Sequence, residues 1–192
     1  MAALSNRIIW RLGIIFLLSA MGFYGYSFWS PLLVKSLTGS TSFGVGLILA
    51  AISAVTIVCM LVNSAHSDRT DERVLHLAIP LFVMGAGFVA CALVQQPVLA
   101  ILSLALIPMA HCSAYGPIWS MPSRFLTGKA AAAGIALVPT IANIGGFLGP
   151  FLIGVMKTRT GTHGPAFLLL GGFGLIAALL TVQLRRVAAV AR

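Results

Sequence analysis

The stretch Asn63 to Arg73, NSAHSDRTDER, contains all three acidic residues of a 192-residue chain: Asp68, Asp71 and Glu72. No Asp, Glu, Lys or Arg occurs from Ser36 to Ser67 or from Val74 to Ser123. A helix crosses the hydrocarbon core of a bilayer with about 20 apolar residues. A charged side chain at the bilayer centre costs roughly 2.5 to 3.5 kcal/mol on insertion scales. The segment therefore reads as a polar turn in water joining two long hydrophobic elements in lipid.

Composition agrees. The chain is 59% hydrophobic and 8% charged, with a mean hydropathy of +1.05, whereas about a quarter of the residues of soluble domains are charged. This is an integral membrane protein. Its net charge of +9 comes from twelve basic residues set in ones and twos at the ends of apolar runs. No basic stripe follows a phosphate backbone, so nucleic acid is not an expected partner. Cys59, Cys91 and Cys112 lie inside apolar runs at spacings that fit no zinc or redox motif, and read as reduced, small hydrophobes.

Working outward from the turn, six spans can be laid down. The first, about Leu12 to Leu33, is too long for a signal-peptide core despite Arg7 and Arg11 before it. The second covers about Phe43 to Val62 and the third about Val74 to Val94, closed by Gln95, Gln96 and Pro97. A fourth, about Val98 to Pro122, carries Pro108, Pro117 and Pro122, which membranes tolerate where neighbours satisfy the freed backbone groups. After the polar turn SRFLTGK come the fifth span, about Ala131 to Met156, and the sixth, about Pro165 to Leu184. Six spans put both termini on one side. Nine of the twelve basic residues fall there (Arg7, Arg11, Arg69, Arg73, Arg124, Lys129, Arg185, Arg186 and Arg192), against Lys35, Lys157 and Arg159 opposite. Cytoplasmic segments carry the excess of Lys and Arg, so both termini and the acidic turn are expected inside the cell.

Three helix faces carry polar side chains. At 100° per residue, Ala142, Gly145, Gly146 and Gly149 share a close-packing face of span five, while Thr140, Asn143, Phe147 and Pro150 fall roughly opposite. Asn143, the only amide inside span five, then needs a polar cavity or another helix to receive it; it lines a pathway or simply fastens the bundle. On span four, His111, Tyr115 and Trp119 recur at i, i+4 and i+8, a line suited to hydrogen-bonding and stacking on a small polar ligand. A neutral core histidine is the alternative for His111, and an interfacial belt residue the alternative for Trp119. Span one aligns Tyr24, Ser27, Phe28 and Pro31; Phe28 and Pro31 are expected in the core, and a buried Tyr24 hydroxyl needs a partner. No predicted span contains a carboxylate, and there is no nucleophile elbow, HExxH or P-loop. Enzyme chemistry is not expected, nor is a cofactor or metal.

With these residues in place, a family resemblance emerges. SDRTDER at 67–73 resembles the second copy of the major facilitator signature loop, GxxxDRxGRR: Asp68, Arg69 and Arg73 match, Ser64 and Asp71 stand where it has glycines, and Glu72 replaces a basic residue. YGYSFWSPLLVKSL at 24–37, WSMPSRFLTGKAAAAGIAL at 119–137 and ANIGGFLGPFLIG at 142–154 resemble the anion:cation symporter family, permeases for tartrate, phthalate, sugar acids and related organic acids.

The resemblance implies an all-α, polytopic membrane protein of six transmembrane helices. Residues 1–192 would be the C-terminal six-helix half of a twelve-span transporter, itself two inverted three-helix repeats. It places ALSNRIIW at the end of the family's central cytoplasmic loop, so Met1 falls where no native start is expected and a partner N-terminal half is implied. By motif position, Trp119 and Asn143 match the aromatic and the amide that this half contributes to an organic-anion site near the midplane. The residues that handle protons and the anion's charge are then expected in the other half. The function implied is proton-coupled symport of a small organic acid across the inner membrane by alternating access. The competing reading is a non-transporting membrane protein, or inactive fragment, that binds a partner through the inter-half surface.

Overall fold

A computed structural model describes residues 6–122 and 128–190. Its helices are α1 (Arg7–Thr38), α2 (Ser42–Thr70), α3 (Val74–Leu93), α4 (Pro97–Ser113), α5 (Tyr115–Ser120), α6 (Gly128–Thr160) and α7 (Gly164–Val190). Among the described residues there is no strand. With α4 and α5 taken as one interrupted span, six segments are long and apolar enough to cross a membrane. Their ends are capped as backbone donors require. The side chain of Asn6 accepts from the Ile8 N–H at 2.8 Å, Thr41 from Gly44 at 3.3 Å and Gln96 from Leu99 at 2.6 Å.

The acidic stretch is mostly helix rather than turn. α2 continues to Thr70, and the reversal occupies only Asp71, Glu72 and Arg73. Asp71 ends the helix in the left-handed region, at φ 51°, the only described non-glycine residue with positive φ. Aspartate is one of the few side chains that tolerate this conformation, which explains its presence where the signature has glycine. Glu72 starts α3, its Oε2 accepting from the N–H groups of Leu75 at 2.8 Å and His76 at 3.3 Å.

Span four is broken, not continuous. α4 stops at Ser113 and α5 starts at Tyr115 because Pro117 has no N–H for the Ser113 carbonyl, four residues earlier. Pro80 frees the His76 carbonyl of α3 in the same way. Asn63 of α2 answers both: its Nδ2 donates to the His76 oxygen at 2.9 Å and to the Ser113 oxygen at 2.8 Å. One step along α2, Ser64 lies against Gly116, where an added Cβ would collide with the Ser64 hydroxyl. Serine replaces the signature glycine here, and α5 supplies a glycine opposite it.

The helix pairings are those of two three-span repeats. α1 packs along α6 as α2 packs along α4; α1 touches α7 as α4 touches α3; and α3 and α7 pack on each other. Exchanging α1 with α4–α5, α2 with α6 and α3 with α7 maps these pairings onto one another. Close approach is made by glycine. A Cβ on Gly145 would lie 2.8 Å from the Met21 nitrogen, and one on Gly149 would run into the Met21 carbonyl oxygen. Gly85 of α3 meets the Gly171 oxygen and the Leu175 nitrogen of α7, each at 2.9 Å from such a Cβ. The expected small face of span five is thus its packing seam.

Two apolar cores result. One, toward the α2–α3 turn, centres on Leu12, Phe16, Leu77, Leu81 and Ile118; the other centres on Met21, Met84, Phe88, Ile153 and Leu170. At the end away from the turn, α1, α6 and α7 meet around Trp29. Its Nε1 donates to the Pro150 carbonyl at 3.3 Å, Lys157 Nζ stands 5.0 Å from its ring centre, and His163 meets it edge-on at 5.4 Å. His163 also stacks on Phe167, and its Nε2 is buried with no hydrogen-bond partner among the described residues. Desolvation, and secondarily the Lys157 ammonium, lower the pKa of His163. Of the segments read earlier as loops, Ser123 to Thr127 of SRFLTGK lies outside the described residues, as do Arg124 and Arg192. The side chains of Lys129, Arg185 and Arg186 are likewise not described.

Three stability measurements in detergent follow from this packing. Gly149→Ala drives a methyl into backbone and is expected to cost about 1 to 3 kcal/mol, the range for overpacking; unaltered thermal unfolding would misplace the seam. Asn63→Leu leaves two freed carbonyls without donors, at about 1 to 3 kcal/mol each. Asn63→Asp, which accepts and cannot donate, is expected to fare no better. His163, with a lowered folded-state pKa, contributes stability present above its ordinary value of about 6.5 and lost as pH falls below it. Melting temperature is therefore expected to drop from pH 7.5 to 5, and to drop less in His163→Phe.

Candidate functional site

Of the polar residues singled out in the sequence, Tyr24, Asn143 and Trp119 are exposed, Tyr115 is half-buried and His111 is buried. Tyr24, Ser27, Phe28 and Pro31 form a continuous exposed face of α1. Phe28 and Pro31 are therefore not core residues: packing of α1 against α6 through Gly25 and Met21 turns them outward. Nor is Tyr24 buried. It is 39% exposed, and its hydroxyl has no hydrogen-bond partner among the described residues. Its ring lies over Gly146 of α6, 3.6 Å from where a Cβ would stand, so the missing side chain makes room for the phenol. Asn143 and Phe147, three residues before and one after Gly146, are exposed on the same helix. The Asn143 amide is received by neither a cavity nor a helix among the described residues; it faces outward with its hydrogen-bonding capacity free.

The line from span four is split by depth. Trp119 is 38% exposed and Tyr115 half-buried, but His111 is 1% exposed and is a core histidine. Its Nδ1 lies 2.6 Å from the Ser19 hydroxyl of α1, and its ring stacks on Phe23 at 4.4 Å. That hydrogen bond fixes His111 as a core histidine and takes the imidazole off the open face. Phe16 holds the group together: it meets Trp119 and Tyr115 edge-on, each at 5.9 Å, and stacks against His111 at 5.7 Å. Trp119 thus leans on the α1 core with its outer edge open.

The face offers a phenol, an amide and an indole. All three hydrogen-bond, and two present flat rings for stacking. No charged side chain occurs between Arg11 and Lys35 of α1 or between Ala131 and Met156 of α6. Such a surface can orient carboxylate or hydroxyl oxygens; it cannot neutralise an anion. α2 and α6 are also the least covered helices, with 17% and 22% of their most apolar window buried against 44% to 56% for the other spans.

The signature residues lie away from this face, at the α2–α3 turn. Arg73 Nη1 pairs with Asp68 and reaches Ser67 Oγ at 3.0 Å, while the Ser67 hydroxyl donates to the Glu72 carbonyl at 2.7 Å. Arg69 is exposed. With Asp68 68% exposed the ion pair adds little stability, about 0 to 1 kcal/mol, and its role is to hold the reversal in shape. Asn63 escaped the sequence reading because it sits one residue beyond the predicted end of span two. The signal was a proline four residues after each carbonyl it serves. His66 and His76 escaped too, being ten residues apart across the turn; their nitrogens, His66 Nδ1 and His76 Nε2, lie 2.6 Å from each other.

Comparison with known proteins places this geometry. Residues 1–150 match the sequence profile of the Major Facilitator Superfamily. A protein of Agrobacterium vitis, provisionally named a tartrate transporter, is 34% identical over 97% of this chain and 41% of its own length. A quinolone resistance transporter of Acinetobacter baumannii is 31% identical over 93% of this chain and 41% of its own. For the inner membrane transport protein RhmT of Escherichia coli K12, identity is 31% over 95% of this chain and 43% of its own length. The chain spans about two fifths of the length of the curated relatives it matches. With a helical bundle of six membrane-crossing segments and a profile match over 150 of its 192 residues, the chain belongs to the major facilitator superfamily of membrane transporters.

Proposed function

We propose that this bundle is the C-terminal six-helix half of a permease that carries a small organic anion across the inner membrane together with protons, by alternating access. The observation that carries the reading is the open face itself. Tyr24 is exposed over Gly146, close in sequence to the exposed Asn143, and Trp119 is exposed where it leans on Phe16 of α1, while the opposite sides of these helices are sealed by glycine seams and core aromatics. A polar strip flanked by Phe28, Phe147 and the little-covered α2 and α6 suits a second helical bundle closing over it and enclosing a cavity between the two. In that arrangement Asn143 and Tyr24 orient the oxygens of the substrate, Trp119 stacks on it, and Tyr115 braces Trp119 through Phe16. His111 keeps its place in the core behind them.

The resemblance to organic-acid permeases and the name of the tartrate-transporter relative support a carboxylate substrate. Since this face holds no cation, the compensating charge, and with it the coupling to protons, falls to the partner half. Nine basic residues on the side of the termini favour a cytoplasmic location for both ends and for the Asp68–Arg73 turn. The name of the RhmT relative supports the inner membrane.

The experiment is uptake of a labelled organic acid, tartrate first, into proteoliposomes under an imposed proton gradient. The chain alone is expected to show no uptake, whereas the chain joined to a matching N-terminal six-helix half is expected to take it up. In the joined protein, Asn143→Ala removes one hydrogen bond, about 0.5 to 1.5 kcal/mol, and should weaken apparent affinity roughly two- to tenfold with folding unaffected. Gradient-driven uptake by the 192-residue chain alone would overturn the half-permease reading. A joined protein that folds and binds its two halves but moves no organic acid would favour a non-transporting role.

A further inference from the structure

Glycine draws α3 and α7 together at one level only. Gly85 of α3 meets α7 so closely that a Cβ on Gly174 would lie 2.8 Å from the Gly85 Cα. From there toward the α2–α3 turn neither helix has a glycine, and alanine takes its place. Ala78 of α3 and Ala178 of α7 are buried, while the larger Ile79 and Phe82 of α3 and Leu179 and Val182 of α7 are exposed. Two methyl groups thus form the floor, and branched and aromatic side chains form the walls, of an open groove of about 420 Å³. Every residue that lines it is apolar.

The groove runs from Leu75, in the first turn of α3, to Phe82, and on α7 from Leu175 to Val182. At roughly 1.5 Å per residue each helix contributes about 10 Å of wall, against about 15 Å for one leaflet of a bilayer. The groove therefore fits within a single leaflet, on the side of the α2–α3 turn. Its α7 wall follows the spacing i, i+3, i+4 and i+7, and the next position on that face is Arg186, with Arg185 beside it in the same helix. The side chains of both arginines lie outside the described residues, but their positions end the apolar wall in a pair of cations. None of Tyr24, Trp119 and Asn143 is on α3 or α7, so the groove is no part of the proposed substrate face.

We infer that this groove holds one acyl chain of an anionic phospholipid, with its phosphate headgroup at the Arg185–Arg186 end. An acyl chain gains no hydrophobic free energy by leaving the bilayer for an apolar groove, since lipid tails are as apolar as leucine. The walls fix where the chain lies, through van der Waals contact, and the choice among lipids falls to charge. Basic residues clustered at the end of a membrane helix attract anionic headgroups. Two of the three acids at this end are engaged locally: Asp68 pairs with Arg73, and Glu72 accepts from the N–H groups of Leu75 and His76. The inference is independent of the transport reading, since it needs neither a substrate nor a partner half.

The test is native mass spectrometry of the full chain, delipidated in a neutral detergent and titrated with phosphatidylglycerol or with phosphatidylcholine of identical chains. One phosphatidylglycerol is expected to bind ahead of any second, about fivefold or more tighter than phosphatidylcholine, the factor that one or two arginines near a headgroup supply. Replacing both cations, Arg185→Gln with Arg186→Gln, is expected to bring phosphatidylglycerol down to the level of phosphatidylcholine. Ala178→Leu fills the floor and is expected to weaken phosphatidylglycerol about tenfold, by taking the place of the chain. Because Ala178 is buried and that variant can misfold, Leu179→Ala, which lowers an exposed wall and leaves the core intact, is measured beside it; it is expected to weaken binding about threefold with thermal unfolding unchanged. The proposal is overturned if the two lipids bind alike, as a general lipid coat would, or if the double glutamine variant keeps the preference. It is also overturned if Leu179→Ala binds phosphatidylglycerol like the parent, or if the groove is closed by a second copy, seen as a dimer that excludes the lipid.

Discussion

The arrangement of this bundle depends on the side chain of Asn63. In a bilayer a backbone carbonyl freed by proline has little access to bulk water, and a neighbouring side chain is one of the ways it is satisfied. Pro80 and Pro117 free the carbonyls of His76 and Ser113, on two different helices, and one amide of a third helix satisfies both. An amide nitrogen carries two hydrogens, and both are used. This ties α2, α3 and α4 at a single point, just inside the reversal formed by Asp71, Glu72 and Arg73. With α2 held there, Ser64 comes against Gly116 and His66 against His76. Span four is interrupted at the same place, between Ser113 and Tyr115.

The second determinant is distance between backbones rather than a hydrogen bond. In lipid, apolar side chains gain little by leaving the solvent, and helices associate where small residues let backbones approach. Gly145 and Gly149 bring α6 within contact of the α1 backbone at Met21, and Gly146 leaves space for the Tyr24 ring one face over. The seam and the polar face are two sides of one geometric fact: closing α1 on α6 through glycine fixes which side chains of each helix remain outside. Asn143 can be exposed and uncommitted because the seam, not the amide, holds the helix.

Much of this was legible in the sequence. The six spans follow from charge-free runs of membrane-crossing length, and the glycine face of span five follows from a 100° projection, because both depend on composition and period alone. What the projection lacked was direction. It placed Tyr24, Ser27, Phe28 and Pro31 on one face and assigned two of them to the core, since large apolar residues in a soluble helix point inward; in this bundle Gly25 and Met21 claim the inward side. His111, Tyr115 and Trp119 do line up, all three packed on Phe16, but a projection shows no depth, and the line runs from the core outward. The Asn63 clamp and the His66–His76 contact were illegible for a different reason: they join residues that no periodicity relates, and depend on the exact place where α2 ends.

The departures from the signature loop show how such a turn survives substitution. Glycine at the position of Ser64 would let α5 approach α2 with room to spare; a serine there requires the opposite helix to give up its own Cβ, and Gly116 has none. Glycine at the position of Asp71 would adopt positive φ without cost; aspartate is among the side chains that enter that region, and it does so here at 51°. Glu72, where a basic residue is usual, would leave the turn short of a cation, yet its carboxylate caps α3 and orients His76, a role open only to an acceptor. The change at Ser64 is met by a residue distant in sequence, and those at Asp71 and Glu72 by the local backbone. What persists between the signature and this chain is therefore a geometry, the tight α2–α3 reversal held by Asp68 and Arg73, and the residues that build it are free to change wherever a neighbour can absorb the difference.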